Sequence, residues 1–185
     1  MLLLVRHAQA EHRWAGGPPE HERPLTMHGH RQAAELVGRL TAHEPNLVVS
    51  SPYRRAFDTV LPTARVLGLD VLARDDLREW DDGLEFVDDW MPHYERCWAD
   101  AEHRYGAGET HQELGARAGT ALRDLLERSG EGVVVAASHG TWIVRGLGAL
   151  GVNVSLDFWR AMPSPAVYVL VAEGASLTAT GPGLA

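Results

Sequence analysis

The chain has 185 residues, of which 45% are hydrophobic, so it is long enough to form a soluble domain with a buried core. Its formal net charge is −8, which argues against nucleic acid or a membrane surface as a partner, because both are bound by basic faces. All 17 basic residues are arginines, which excludes mechanisms that need a lysine Schiff base or a P-loop lysine.

Cys97 is the only cysteine in the sequence, so an intramolecular disulfide is excluded and a reducing compartment is indicated. The apolar run at residues 2–5 leads directly into Arg6. This run is too short for a signal peptide or for a membrane span, which needs about 20 apolar residues. We therefore expect a cytoplasmic protein without a membrane partner, and its oligomeric state is left open.

The first predicted element is a buried strand at residues 2–5. A polar loop follows at 9–24, and loops of this length at strand ends are commonly functional. Apolar residues at helical spacing then predict a helix over 28–42, with Thr26 as its N-cap. The second strand is predicted at 46–50.

Pro52 is predicted to start the second helix, which ends before Gly68 and is kinked at Pro62. A short strand at 71–73 and an acidic, irregular segment at 75–89 come next.

In the second half of the chain, helices are predicted at 87–104 and 109–128. They are followed in order by a strand at 133–138, a helix at 141–150, a strand at 166–171 and a weaker strand at 177–179. Alternating strands and helices without an internal linker predict one domain over residues 1–185, with the α/β fold of a three-layer α/β/α sandwich and a mostly parallel central sheet.

Two of the predicted strands end at a histidine: His7 follows the first strand and His139 the fourth. Because ligands bind outside the carboxyl ends of parallel strands, both imidazoles should face one crevice. Arg6 and Arg55 also follow strands, and their guanidinium groups match phosphate oxygens two at a time. A neutral imidazole can attack phosphorus, and a carboxyl group such as Glu79 can protonate the leaving oxygen.

Five short motifs occur in a fixed order along the chain. They are Arg6-His7-Ala8 and residues 24–33, 50–56, 77–83 and 138–140. Together they resemble the histidine phosphatase superfamily, the group that contains cofactor-dependent phosphoglycerate mutase. Residues 160–164 also resemble the broad-specificity phosphatases of that family.

The resemblance implies a phosphoglycerate mutase-like fold and hydrolysis of a small phosphate monoester without a metal or an organic cofactor. It implies that His7 is the nucleophile and becomes phosphohistidine. Arg6, Arg55 and His139 would bind the phosphoryl oxygens, and Glu79 would be the general acid, with a raised pKa.

The sequence departs from the family pattern at substrate-binding positions. Ala10 and Arg13 stand where the family commonly has a threonine and an asparagine, so Gln9 or Arg13 is expected to contact substrate instead. The loop after Gly83 is also atypical, which leaves Glu85 as the alternative proton donor.

Two other functions remain open: a phosphoglycerate mutase, and an inactive module that binds a phosphorylated ligand. A mutase needs a lid over its phosphoenzyme, but two predicted helices use most of the 60 positions between Glu79 and His139. Hydrolysis is therefore preferred. No metal is expected, since the His28-x-His30 pair and the histidines at positions 12, 21 and 43 lack the spacing of a metal site. The physiological phosphate ester is not specified by the sequence.

Overall fold

The computed structural model describes residues 1–85, 87–174 and 176–184. Its strands are β1 (Leu2–Arg6), β2 (Leu47–Ser50), β3 (Val71–Ala73), β4 (Val134–Ser138), β5 (Ala166–Glu173) and β6 (Ser176–Thr180). They form one sheet in the order β3-β2-β4-β1-β5-β6. Neighbours among β1 to β4 are parallel, whereas β5 and β6 are antiparallel additions, which confirms the predicted mostly parallel sheet.

The helices are α1 (Met27–Thr41), α2 (Arg54–Leu67), α3 (Met91–Ala99), α4 (His111–Arg128), α5 (Gly140–Ala149) and α6 (Leu156–Ala161). Short 3-10 turns lie at Glu20–Glu22, Asp75–Leu77 and Ser129–Glu131. No helix in the described part of the chain is long and apolar enough to cross a bilayer.

Alternate residues of β1 enter two separate cores. Leu3 and Val5 pack with apolar residues of α1 and α2, whereas Leu2 and Leu4 pack with those of α4 and α5. This alternation is the period of two of a strand that is buried on both faces. Helices therefore cover both sides of the sheet, and the predicted three-layer α/β/α architecture is confirmed.

The helix ends agree only in part with the predictions. The Thr26 hydroxyl accepts a hydrogen bond from the Gly29 amide and caps α1, as expected. Gly68 ends α2 in a left-handed conformation with φ of 68°. However, α2 begins at Arg54 rather than at Pro52 and continues through Pro62.

One helix was predicted too long and another was missed. α3 spans only Met91–Ala99 instead of 87–104, because Asp100 leaves the helical conformation and its carboxylate accepts from the Glu102 amide to form a turn. The six residues of α6 were not predicted, since so short a segment gives no clear apolar period.

The sheet brings the ends of three strands together. The His7 amide donates to the Ser138 carbonyl over 3.0 Å, and the Ser51 amide donates to the Ala137 carbonyl over 2.9 Å. The residues that follow β1, β2 and β4 are thus fixed side by side at the carboxyl edge of the parallel strands, where α/β proteins bind ligands.

Candidate active site

His7 and His139 face each other at this edge, as their positions after β1 and β4 predict. Their ring centroids are 5.2 Å apart, and both side chains are buried. Burial, reinforced by the charge of Arg55, holds the pKa of both imidazoles well below the usual range. Both rings are therefore neutral near pH 7, which is the state a nucleophilic imidazole requires.

The contacts of His7 distinguish its two ring nitrogens. Nδ1 lies 2.7 Å from the Ala8 carbonyl oxygen, to which only a protonated nitrogen can donate. The lone pair is then on Nε2, which accepts a hydrogen bond from Nε of Arg55 over 3.2 Å. This lone pair faces the guanidinium that the sequence assigned to phosphate binding.

His139 is held by a residue that the sequence analysis did not single out. Its Nε2 lies 2.8 Å from Oγ of Ser51, and Ser51 Oγ also accepts from the Tyr53 amide over 3.2 Å. A serine hydroxyl that donates to Nε2 leaves the imidazole proton on Nδ1. That Nδ1 is buried without a partner among the described residues.

Two arginines, Arg6 and Arg55, line the cavity next to His7. Arg55 is only 1% exposed, and burial lowers its pKa to about 10, so it remains a cation. Arg6 is anchored through Nη1 to the Met162 carbonyl oxygen, while its Nε is buried with no partner in the described ranges. Trp159 Nε1 is likewise buried and unpartnered, and both nitrogens approach Gly140, where a Cβ would lie 3.1 Å from Trp159 Nε1. Unpartnered donors of this kind suit an oxyanion.

Glu79 enters the site from the loop after β3. Its carboxylate accepts from the backbone amides of Trp80 and Trp142 over 2.9 and 3.0 Å. These amides favour the charged form, but burial outweighs them and raises the pKa of Glu79. Ser138 fixes the loop by donating from Oγ to the Leu77 carbonyl. A raised pKa is the property that a proton donor needs.

The alternative acid and the predicted substrate-binding residues lie farther out. All line a cavity of about 610 Å³ that also includes His7, Arg55 and Glu79. Gln9 and Glu85 are exposed at its surface. Arg13 is paired through Nη1 with Asp82 over 3.2 Å.

Glu20 is the most consequential residue that the sequence analysis missed. Its carboxylate lies 2.9 Å from Nη2 of Arg55 and 2.8 Å from Nη2 of Arg23. Burial alone would raise the pKa of Glu20, but Arg55 and Arg23 reverse this effect and leave its pKa below the usual value. A carboxylate therefore lies against the Arg55 guanidinium, to which the sequence analysis assigns phosphate binding.

Different signals would have found the missed residues. Ser51 lies inside the motif at residues 50–56, so its place after a strand was available as a signal. Glu20 sits in the long loop at 9–24, which was expected to be functional but gives no periodicity to orient its side chains. Trp159 belongs to α6, which was not predicted.

Potential metal ligands occur elsewhere. His93, Cys97 and His103 place ligand atoms within 4.8 Å of one another, a group that the sequence analysis did not consider.

Comparisons with known proteins identify relatives of the chain. The chain is 30% identical to phosphoserine phosphatase 1 of Hydrogenobacter thermophilus over 181 residues, covering 92% of this chain and 85% of that protein. It is 31% identical to the probable phosphoglycerate mutase GpmB of Klebsiella pneumoniae over 152 residues, covering 75% of this chain and 69% of that protein.

Among solved structures, a mutant phosphoserine phosphatase from Entamoeba histolytica in complex with phosphoserine matches with a TM-score of 0.77 at 19% identity, covering 98% of this chain and 96% of that chain. This likeness supports the fold. The family model of the histidine phosphatase superfamily (branch 1) matches residues 2–179. The chain therefore belongs to the histidine phosphatase superfamily.

Proposed function

We propose that this protein is a phosphatase that hydrolyses a phosphate monoester through a phosphohistidine on His7. The observation that carries the proposal is the facing pair of neutral imidazoles, with ring centroids 5.2 Å apart and Arg55 donating to the free nitrogen of His7. The superfamily match and the phosphoserine phosphatase relative support a phosphoric monoester hydrolase.

In the first step, Arg6, Arg55 and Nδ1 of His139 bind the phosphoryl oxygens. Nε2 of His7 attacks phosphorus, and the bond between phosphorus and the ester oxygen breaks. Glu79 transfers its proton to that oxygen, which leaves as an alcohol. Fixed positive charge around the phosphoryl group is the main source of rate enhancement, and each such group typically contributes a factor of about 10²–10³.

In the second step, the Glu79 carboxylate removes a proton from water as the water oxygen attacks phosphorus. The bond from phosphorus to Nε2 breaks, phosphate leaves and His7 returns as a neutral imidazole. Glu79 is protonated again and ready for the next cycle.

The pKa shifts favour the presence of neutral His7 and protonated Glu79 at the same pH. A free histidine loses its proton at a higher pH than a free glutamic acid, so neutral His7 and protonated Glu79 would rarely coexist. Burial lowers the pKa of His7 and raises that of Glu79. The two changes widen the pH range in which the reactive pair is present.

A mutase is the less favoured alternative. Between Glu79 and His139, α3 and α4 occupy only Met91–Ala99 and His111–Arg128, which is less of this span than predicted, so the length of the span does not by itself exclude a lid. The cavity also borders exposed residues such as Gln9 and Glu85, where water has access. We infer that water accepts the phosphoryl group.

We further propose that the substrate is a small phosphate ester and that the protein acts in the cytoplasm. Structural neighbours hold phosphoserine and 3-phosphoglyceric acid, and a cavity of about 610 Å³ accommodates molecules of that size. Gln9 and Arg13 are proposed to contact the rest of the substrate. The reacting groups named above are all side chains, so no metal or organic cofactor is assigned to the reaction.

An aryl phosphate assay of the wild type, His7→Ala and the control His28→Ala tests the proposal. We expect His7→Ala to abolish turnover and His28→Ala, which changes an exposed residue of α1, to leave it unchanged. An inactive wild type that still binds phosphate would favour the phospho-ligand binding module.

The mutase alternative is tested with 3-phosphoglycerate and a trace of 2,3-bisphosphoglycerate. Hydrolysis predicts that free phosphate forms faster than 2-phosphoglycerate. The opposite order would identify a mutase.

A further inference from the structure

A cluster of two histidines and the single cysteine lies beside Trp80, the residue that follows Glu79. His93 stacks on Trp80 with an interplanar angle of 6°, and Sγ of Cys97 lies 3.9 Å from both ring nitrogens of His93. His103 completes the group, with the three ligand atoms within 4.8 Å of one another. His93, Cys97 and His103 are called the HCH cluster below.

The local fold brings together three side chains that lie within eleven residues of sequence. His93 and Cys97 are four positions apart on α3, so they lie on one helix face. After the helix, the Asp100 carbonyl accepts from the His103 amide over 3.1 Å and closes a turn. This turn returns His103 to the same face of α3.

Polar atoms of the HCH cluster have few hydrogen-bond partners among the described residues. Nε2 of His103 is buried and has no hydrogen-bond partner in the described part of the chain. The Cys97 thiol is fully buried, and its contacts with His93, at 3.9 Å, are weak hydrogen bonds. Buried polar atoms in native proteins are nearly always satisfied, so the arrangement calls for a further ligand.

We propose that the HCH cluster binds a divalent cation of the zinc class. Two imidazole nitrogens and one thiolate are the donors that Zn²⁺ prefers, and three protein ligands leave a fourth position for water. Tetrahedral Zn²⁺ with bonds of about 2.0–2.3 Å places neighbouring ligand atoms about 3.3–3.6 Å apart. Because the ligand atoms lie within 4.8 Å of one another, the HCH cluster needs to contract by up to about 1.5 Å to reach this geometry.

Binding of the cation releases one proton. Cys97 binds as a thiolate, so its S–H bond breaks and the proton passes to solvent. Burial raises the pKa of this thiol, and Asp82 acts in the same direction, while Arg145 opposes them.

The bound cation would fasten the wall of the active-site cavity. Tyr94, which lies next to His93 on α3, and Trp80 both line that cavity. A metal at the HCH cluster would hold α3 against the turn at His103 and leave the reacting atoms untouched. The ion would therefore act on the position of this wall and take no part in phosphoryl transfer.

Titration of chelator-treated protein with Co²⁺ tests the proposal directly, because tetrahedral cobalt–thiolate sites have characteristic spectra. We expect the wild type to bind one Co²⁺ and to develop a sulfur-to-cobalt charge-transfer band together with intense visible d–d bands. Added Zn²⁺ should displace the cobalt and bleach both. Cobalt should also raise the thermal unfolding temperature, since it binds the folded chain.

Variants of the HCH cluster test whether the cobalt ion is bound there. Cys97→Ser should remove the charge-transfer band, and His103→Ala, which changes a partly exposed residue, should weaken cobalt affinity at least tenfold while circular dichroism and aryl phosphatase activity are kept. The control His30→Ala changes an exposed histidine of α1 and should bind cobalt as the wild type does.

The proposal is overturned if the wild type shows no stoichiometric charge-transfer band. It is also overturned if a folded His103→Ala variant binds cobalt with unchanged affinity. In either case the two histidines serve only to pack against Tyr105, whose ring centroid lies 4.0 Å from that of His93.

Discussion

The guanidinium of Arg55 is shared between the nucleophile and a carboxylate: its Nε donates to Nε2 of His7 over 3.2 Å, and its Nη2 lies 2.9 Å from Glu20. Arg55 is therefore aligned on the reacting nitrogen before any phosphate arrives. A phosphoryl group bound as we propose would take over these contacts, and Glu20 would keep its ion pairs with Arg23 at 2.8 Å and with Arg13 at 3.7 Å. We therefore expect Glu20 to compete with phosphate for Arg55.

Glu20→Gln should tighten the binding of inorganic phosphate as a competitive inhibitor. A unit charge about 5 Å away is worth about 3 kcal/mol at an effective dielectric constant of about 20, and screening reduces this. We expect the inhibition constant to fall about tenfold, which corresponds to about 1.4 kcal/mol. Glu22→Gln, on the same 3-10 turn but mostly exposed, is the control. Weaker phosphate binding in Glu20→Gln would show instead that Glu20 orients Arg55.

Glu79→Gln should discriminate between leaving groups. An alkyl alkoxide needs a proton as it leaves, so we expect a loss of about 10²–10⁴-fold in kcat/KM on an alkyl phosphate. An acidic aryl leaving group hardly needs the proton, and the loss in its kcat/KM should be much smaller. The matched variant is Glu85→Gln, because Glu85 lines the same cavity. Equal losses on both substrates in Glu79→Gln, with the discrimination appearing in Glu85→Gln, would assign the proton donor to Glu85.

The pH dependence of kcat/KM on an alkyl phosphate should be bell-shaped. Activity rises with pH as His7 loses its proton, and this limb lies below the usual histidine range because burial lowers the pKa of His7. Activity falls again as Glu79 ionises, at a pH above the usual glutamate range because burial raises its pKa.

Dividing the kcat/KM of the wild type by that of Glu79→Gln at each pH removes the effect of substrate ionisation. The ratio should keep only the alkaline limb. A ratio that is flat with pH would contradict the assignment of that limb to Glu79.

Ser51→Ala should lower kcat by releasing His139. The hydroxyl fixes the imidazole tautomer over 2.8 Å, and residues in contact typically couple by about 0.5–3 kcal/mol. We expect a loss of about tenfold in the single variant and no further loss when Ser51→Ala is added to His139→Ala. Additive losses in the double variant would mean that Ser51 acts independently of His139.

Much of this architecture follows from local sequence. The aliphatic runs of β1 and β4 predicted buried strands, and a histidine after each was enough to expect two facing imidazoles. Glu20 could not be placed in the same way, because an irregular loop has no period that orients its side chains. The contact between Glu20 and Arg55 depends on long-range packing, since 35 residues separate them.

The length of α3 was overestimated for a related reason. Aromatic and apolar residues continue on both sides of it, and the turn formed by Asp100 ends it through a side-chain hydrogen bond to the Glu102 amide. The HCH cluster depends on that turn.

The phosphoenzyme itself is the most direct test of the account. Glu79→Gln, mixed with an aryl phosphate and quenched in base, should accumulate a phosphorylated chain, because the variant retains the nucleophile but lacks the base that activates water. Trypsin releases residues 7–13, a peptide with two histidines, His7 and His12. We predict one phosphate per chain, and fragment ions that place it on His7. A phosphate on His12 or on any other residue, or full aryl phosphatase activity in His7→Ala without a phosphoenzyme, would contradict the account.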